Sequence, residues 1–412
     1  MLWSQQEYKS KYHLLLNDKA SSRTKNKVRL ELGLYNQIDS SKLTKLDELL
    51  DFSILTQDYN AIKSCFNIFE KKFFLSRKKQ ENFLKKFYPF LQKEVETYAI
   101  NKKIYSFCSY FDAKYIGYNN TQDHFFLMMN YSDNFLEKKE ILNFYFSSKG
   151  LSEIYINKNK GFCVRSFFYK KQIGDFNKRK VSVIITSYNN EGDIKNSILS
   201  ILNQKEVEVE LIIVDDASND HTVDEIKDIM VCENRIKAVF LEKNVGTYKA
   251  RNIALELASS EYLAFQDADD FSHPDRLRES ITILEKNAHL LAVSSRYIRL
   301  TDKGQFVSIK KVPLIRWSPL TLVFRRQEVF SQLAKFDEVR FGADSEFFAR
   351  FIATFGEKSH MIIDKVLMIC RDRNDSLMKE NANFFGLSEK RYHYIRQYNE
   401  KILYNLSKKM IL

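Results

Sequence analysis

The chain contains the segment Tyr262-Leu263-Ala264-Phe265-Gln266-Asp267-Ala268-Asp269-Asp270, in which an apolar strand is followed by three carboxylates within four residues. Like charges so close together repel one another and resist burial, so this arrangement favours a cation beside the strand end. Divalent cations such as Mg²⁺ and Mn²⁺ take carboxylate oxygens and share the rest of their shell with phosphates. The alternative is an ordinary strand followed by a helix, with Asp270 or Ser272 as the cap of a helix starting near Pro274.

The residues before this segment alternate between apolar strands and amphipathic helices. Strands are predicted at 181–185, 209–214 and 236–240, and the helices between them each have one apolar face. Such alternation is typical of βαβ units, so we predict an α/β fold of Rossmann-like type, with a mostly parallel sheet and helices on both faces. In such sheets, ligands bind beyond the carboxyl ends of the strands.

The rest of the chain is predicted to be organised differently. Residues 1–100 have apolar side chains at helical spacing and are interpreted as a helical region. Residues 101–175 are interpreted as a mixed region, with a strand at 161–168, that ends in a polar, basic linker. The α/β domain is placed at 176–380. An amphipathic helix follows at 381–412, which either docks onto that domain or contacts a membrane surface.

Composition narrows the classes of function. The chain has 412 residues, enough for two or three domains, and its net charge of +12 suits anionic partners such as nucleotide phosphates, acidic glycans or lipid headgroups. Nucleic acid is not expected, because no aromatic and basic motif of a known module is present. The five cysteines form no CxxC pair, so the sequence indicates neither a zinc site nor a disulfide framework. With neither a signal peptide nor a long apolar run, a cytoplasmic protein is expected.

Polar residues follow three of the predicted strands at the same edge of the sheet. They are Thr186-Ser187-Tyr188-Asn189, Asp215-Asp216-Ala217-Ser218 and Asp267-Ala268-Asp269-Asp270. A nucleoside diphosphate needs groups for its base, its ribose and its pyrophosphate, and these strand ends offer such a set. The first strand is not followed by a glycine-rich, lysine-bearing loop, which argues against a nucleotidylyltransferase and leaves the phosphates to a metal and to side chains.

These strand ends resemble the motifs of family 2 glycosyltransferases, which have the GT-A fold. Residues 181–189 look like the opening motif of that family and residues 214–222 look like its second motif. Residues 244–252 resemble its G-x-x-x-A-R-N helix start, and Asp267-Ala268-Asp269 resembles its DxD motif. The four motifs occur in the family order, and the resemblance covers roughly residues 180–375.

The resemblance implies roles for residues in a nucleotide-sugar site. Thr186 and Tyr188 are expected to line the base pocket, Asn189 is expected among the residues that bind the nucleotide-sugar, and Asp216 is expected to accept the imide N–H of uracil. Arg251 is expected to face the base or the pyrophosphate. For two of these residues a structural role remains open: Tyr188 as packing and Arg251 as the partner of a carboxylate at the sheet edge. Asp215 is interpreted as a turn former.

The resemblance also implies a metal, a phosphate clamp and a catalytic base. Asp269 is expected to be the principal ligand of Mn²⁺ or Mg²⁺, and Asp267 is expected to approach the ribose or the metal. Arg371 and Arg373 are expected to clamp phosphate oxygens, and the alternative for them is a basic surface loop. Asp344 is the candidate base, with Glu346 as the second choice. The alternative for Asp344 is a cap of the helix that it precedes.

The sequence therefore predicts an inverting, metal-dependent glycosyltransferase with a nucleotide-sugar donor, UDP-linked, and a glycan or lipid-linked acceptor. The resemblance implies a bacterial enzyme of capsule or lipopolysaccharide synthesis. The expected location is the cytoplasm, with a peripheral position on the inner face of the cytoplasmic membrane as the alternative. The alternative is a catalytically silent scaffold or nucleotide-binding protein that acts through its N-terminal helical region.

Overall fold

A computed structural model describes residues 123–169, 179–307, 314–373 and 389–411. The predicted helical region at 1–100 and most of the predicted basic linker lie outside the described residues. Residues 119–374 form one compact unit, and the last described helix belongs to a second unit.

The first described elements precede the predicted α/β domain. Two helices, α1 (Asp123–Tyr131) and α2 (Phe135–Ser148), are followed by a two-stranded antiparallel sheet of β1 (Tyr155–Ile156) and β2 (Phe167–Phe168). The side chain of Asn134 caps α2 by accepting hydrogen bonds from two N–H groups of its first turn. The strand predicted at 161–168 is wrong except for its last two residues, because a short 3₁₀ turn occupies residues 164–166.

The next elements form the parallel half of the main sheet. The strands are β3 (Lys180–Ser187), β4 (Glu208–Asp215), β5 (Ile236–Phe240) and β6 (Tyr262–Asp267), and the helices are α3 (Ile194–Leu202), α4 (Thr222–Met230) and α5 (Thr247–Leu257). The strands lie in the order β5-β4-β3-β6 and all pair in parallel. This half confirms the predicted α/β class and its βαβ units.

The second half of the sheet is mixed. Its strands are β7 (Phe271–Ser272), β8 (Ala292–Thr301), β9 (Phe306–Val307), β10 (Arg316–Trp317), β11 (Val323–Arg325) and β12 (His360–Asp372), and its helices are α6 (Arg276–Lys286), α7 (Arg326–Phe330) and α8 (Ala343–Phe355). The order continues as β6-β11-β8-β12-β7, with β11 antiparallel to both neighbours and β12 parallel to β8. The strands are therefore all parallel in the first half of the sheet only, which differs from the mostly parallel sheet that was predicted. The difference arises because the sequence pattern of a short buried strand does not reveal its direction.

The core extends upstream of the predicted domain boundary at residue 176. Phe126, Tyr145 and Phe146 are fully buried in the same hydrophobic cluster as the residues of the main sheet. The hydroxyl of Tyr145 accepts a hydrogen bond from the backbone N–H of Val366 in β12 (3.1 Å). Residues 123–169 are thus packed against the main sheet as part of one unit.

The C-terminal helix α9 (Glu389–Ile411) is present where an amphipathic helix was predicted. Tyr398, Ile402 and Leu403 are buried on one side, and Lys401 is exposed. Within the described parts of the chain, no helix is both long enough and apolar enough to cross a membrane. Docking of this helix, or its contact with a membrane surface, stays a prediction.

His360, at the start of β12, is expected to make stability depend on pH. Its ring packs against Phe348 and its Nε2 lies 2.8 Å from Ser294 Oγ. Burial lowers the pKa of His360 from 6.5 to about 4. Between pH 6.5 and about 4, His360 therefore binds a proton in the unfolded chain but not in the folded chain. We expect the free energy of unfolding to fall by at most about 3 kcal/mol for this group as the pH drops through the interval.

The measurement is urea unfolding of the wild type and of His360→Gln across that pH interval. The variant should lose less stability on acidification, and His289→Gln, at an exposed position, is the matched control. Equal pH dependence in wild type and His360→Gln would contradict the expectation.

Candidate active site

The three polar strand ends lie side by side in the sheet. Thr186 of β3 is paired with Asp267 of β6, and Ser187 of β3 is paired with Asp215 of β4. Because these strands run in parallel, their carboxyl ends meet at one edge. The strand register therefore brings these residues together at one edge of the sheet, as predicted.

Hydrogen bonds join the loop after β3 to the loop after β4. Asn189, which has a left-handed φ of 52°, donates its N–H to Ser218 Oγ (2.9 Å) and accepts from the N–H of Asn219 (3.0 Å). Asp215 accepts from both the N–H and the Oγ of Ser218, so it forms the turn as interpreted. The side chain of Tyr188 is 47% exposed, which argues against a packing role.

Asp216 holds the loop that leads into α5. Its two carboxylate oxygens accept the backbone N–H groups of Val245 (2.6 Å) and Gly246 (2.8 Å), and the residue is buried. Gly246 has a φ of 90°, a conformation that favours glycine. This structural role of Asp216 was not predicted from the sequence, and its expected contact with a uracil base stays a prediction.

The acidic cluster after β6 is a turn and not a helix cap. Residues Phe271–Ser272 form β7, and α6 begins only at Arg276, after Asp275 at the cap position. The alternative in which Asp270 or Ser272 caps a helix is therefore wrong. Asp270 is buried, and its Oδ1 accepts the backbone N–H of Arg371 (3.0 Å).

The surroundings of this cluster disfavour the ionised form of Asp269 and Asp270. Burial, opposed by Arg373 and reinforced by Asp267 and Asp193, raises the pKa of Asp269 to about 6. Burial and the neighbouring carboxylates also raise the pKa of Asp270 well above its ordinary value. Charge at this strand end is thus only partly compensated by the protein itself.

Two arginines contact the cluster directly. Arg251 Nη2 lies 2.7 Å from Asp267 Oδ1, and its guanidinium lies near the rings of Tyr248 (5.4 Å) and Phe265 (5.6 Å). Arg373 Nε lies 3.1 Å from Asp269 Oδ2. Arg251 therefore pairs with a carboxylate at the sheet edge, the structural alternative that the sequence left open.

Arg371 is held by acidic residues that the sequence analysis did not single out. It contacts Asp302 through Nε and Nη2 and contacts Asp193 through Nη1. Asp193 is buried and also accepts two hydrogen bonds from Arg165 (2.6 and 3.2 Å). The network brings a residue from upstream of the predicted domain to the edge of the acidic cluster, and no motif in the sequence points to it.

The residues at this strand end could supply only part of the ligand shell of a divalent cation. Asp267 and Asp269 supply carboxylate oxygens, the donors that Mn²⁺ and Mg²⁺ prefer. Across residues 123–169, 179–307, 314–373 and 389–411, no group of three or more His, Cys, Asp or Glu side chains is arranged to hold a metal. A cation at this position would therefore take its other ligands from phosphate oxygens or water.

The candidate base lies in the first turn of α8. Gly342 is at the cap position, with a φ of 81°, so the alternative in which Asp344 caps this helix is wrong. The Oδ1 of Asp344 accepts the hydroxyl of Tyr248 (2.8 Å). Arg251, Phe265 and Asp344 line one small cavity, and the remaining residues that line it are apolar.

Glu346, the second choice for the base, is part of a salt bridge. It is 1% exposed, and both of its oxygens lie 2.8 Å from the guanidinium of Arg350. A buried carboxylate whose two oxygens are both paired is poorly placed to meet an acceptor, and loss of either partner would leave the other charge buried and unpaired.

Comparison with known proteins supports the resemblance. The family model described as "Glycosyl transferase family 2" matches residues 182–351. Within this chain, the match therefore lies inside the predicted α/β domain. The matched residues include most of β3, β4 to β6, the acidic cluster and most of α8, so the resemblance predicted from the motifs is confirmed.

Relatives of this domain include an uncharacterised glycosyltransferase of Haemophilus influenzae, 39% identical over 123 residues, which are 30% of this chain and 38% of the relative. The succinoglycan biosynthesis protein ExoO of Rhizobium meliloti is 28% identical over 169 residues, which are 39% of this chain and 48% of ExoO. The chain thus spans less than half the length of these relatives.

Among solved structures, that of S. aureus TarS 1–349 in complex with UDP-GlcNAc is similar to this chain. The likeness covers 55% of this chain and 71% of that chain at 21% identity, with a TM-score of 0.43. It is too distant to carry information about ligands.

Proposed function

We propose that this protein transfers a sugar, with inversion, from a nucleotide-sugar donor to a hydroxyl of a glycan or lipid-linked acceptor. The observation that carries the proposal is the continuous path of contacts from Asp267 through Arg251 and Tyr248 to Asp344. It links a carboxylate cluster suited to a diphosphate-bound cation with an acid that is suited to act as a base. The family match and the polysaccharide context of ExoO support the same reaction class.

The donor is proposed to lie across the carboxyl ends of β3, β4 and β6. Thr186, Tyr188 and Asn189 would face the nucleoside, and the exposed ring of Tyr188 offers a surface for base stacking. A UDP-linked donor is proposed because the buried carboxylate of Asp216 retains lone pairs that suit an imide N–H. Arg373, which contacts Asp269, would exchange this partner for phosphate oxygens, and Arg371 lies beside it.

Asp267 and Asp269 would hold Mn²⁺ or Mg²⁺. When bound, such a cation neutralises charge on the departing diphosphate. Asp344 would take the proton of the acceptor hydroxyl as that oxygen attacks the anomeric carbon. Attack from the side opposite the leaving group inverts the configuration of the sugar. The pathway is proposed to be bacterial surface glycan synthesis of the capsule or lipopolysaccharide type, at the inner face of the cytoplasmic membrane.

The test is a panel of UDP-, GDP-, CMP- and TDP-sugars incubated with the full chain, with Mn²⁺ or with EDTA, while released nucleotide is followed. We expect metal-dependent release from a UDP-sugar. The alternative, a silent scaffold or nucleotide-binding protein, predicts binding of UDP by calorimetry without turnover, with or without added glycan and lipid-linked acceptors. Absence of both binding and release would overturn the proposal.

A further inference from the structure

Tyr248 of α5 and Asp344 of α8 are joined by a hydrogen bond between their side chains. The hydroxyl of Tyr248 donates to Asp344 Oδ1 (2.8 Å). Asp344 lies in the first turn of α8. The contact therefore holds the carboxylate of Asp344 against α5.

The proton of this hydrogen bond stays on the tyrosine. Burial, and then the charge of Asp344, raise the pKa of Tyr248 far above its ordinary value. The hydroxyl is therefore a donor at every working pH, and it occupies one oxygen of Asp344. In the described part of the chain, Tyr248 is the one side chain that donates a hydrogen bond to this carboxylate. Its second oxygen remains for a proton to be accepted.

The ring of Tyr248 is itself held at the donor side. It is buried, lies 6.0 Å from the ring of Phe336, and has the guanidinium of Arg251 5.4 Å from its centroid. The same guanidinium pairs with Asp267 in the acidic cluster. A rigid aromatic ring thus connects the carboxylates at the end of β6 with the carboxylate in α8.

We infer that Tyr248 is a positioning residue for Asp344, setting where this carboxylate stands relative to the sugar donor. The inference rests on the proposed transferase function and adds to it a residue that the sequence analysis did not assign. Because Tyr248 acts through the base and not on the donor, its hydroxyl should affect turnover and leave donor affinity unchanged. A misplacement of about 1 Å at a reacting group lowers the rate by about 10²-fold.

The experiment compares Tyr248→Phe with the wild type in donor-dependent transfer. The substitution keeps the ring contacts and removes only the hydroxyl. We expect kcat to fall by about 10- to 100-fold, with the KM for the donor and the calorimetric Kd for UDP each changed by less than about threefold. Tyr262→Phe, which removes another buried tyrosine hydroxyl at the far end of β6, is the matched control and should keep the wild-type kcat.

A double-mutant cycle separates positioning from a purely structural role. In the Asp344→Asn background, Tyr248→Phe should cause no further loss of kcat, because its effect passes through Asp344. Equal kcat in wild type and Tyr248→Phe, a loss confined to KM, or a full additional loss in the double variant would overturn the inference while the transferase function stands. Absence of transfer by the wild type with every donor would overturn both. Melting curves establish that each variant is folded at the assay temperature.

Discussion

Asp344→Asn is expected to lower kcat for sugar transfer by about 10²- to 10⁴-fold, the range that general base catalysis contributes. The amide keeps the size of the side chain and can still accept the hydroxyl of Tyr248, but it cannot take a proton from an acceptor. Donor KM and UDP binding should change little, because the base meets the acceptor hydroxyl. Initial rates over a range of donor and acceptor concentrations measure the effect.

Glu346→Gln tests whether Glu346, the second candidate for the catalytic base, can be excluded from that role. Its carboxylate is buried against Arg350, so we expect this variant to melt at a lower temperature and to retain most of its kcat. The opposite pattern, with activity lost in Glu346→Gln and kept in Asp344→Asn, would move the base from Asp344 to Glu346.

Asp269→Asn is expected to reduce metal-dependent transfer by about a thousandfold, since a bound cation supplies several kcal/mol of charge stabilisation. The residual rate should be the same with Mn²⁺ as with EDTA. The melting temperature of the wild type should rise when Mn²⁺ and UDP are added together, and that of the variant should not. Asp364→Asn, which changes an exposed carboxylate in the middle of β12, is the matched control.

The Asp269→Asn variant should fold normally in the absence of metal. Burial and nearby carboxylates raise the pKa of Asp269 to about 6, so its ionised form is unfavourable in the folded protein near neutral pH. A neutral amide removes that charge, and we expect a melting temperature equal to or above that of the wild type. Full activity in Asp269→Asn, or the same response to EDTA as the wild type, would contradict the assigned role.

The parallel half of the fold could be predicted because its signals are local. Apolar runs separated by amphipathic helices predicted β3 to β6 with their intervening helices, and polar residues marked where each strand ends. The strand at 161–168 failed because aromatic and apolar residues there pack into the core from turns rather than from a strand. The extension of the core to residues 123–169 had no signal, since composition does not tell which elements share one core.

The candidate site, like the fold, could be predicted from the sequence only in part. The sequence placed Asp267, Asp269 and Asp344 in motifs, and the register then brought the strand ends together as expected. It could not tell that Asp216 holds backbone N–H groups or that Glu346 pairs with Arg350. Such roles depend on which partner is nearest in space and not on the residue type.

The sequence by itself indicated the resemblance to family 2 glycosyltransferases, the α/β class and the identity of the acidic residues, because these follow from periodicity and from short motifs. Only the tertiary structure decided the antiparallel direction of β11 and the pairing of residues far apart in the chain. Tyr248 and Asp344 are separated by 96 positions, and Asp193 and Arg371 by 178. Such contacts form when whole helices and strands pack against one another, so no local pattern around either residue reports them.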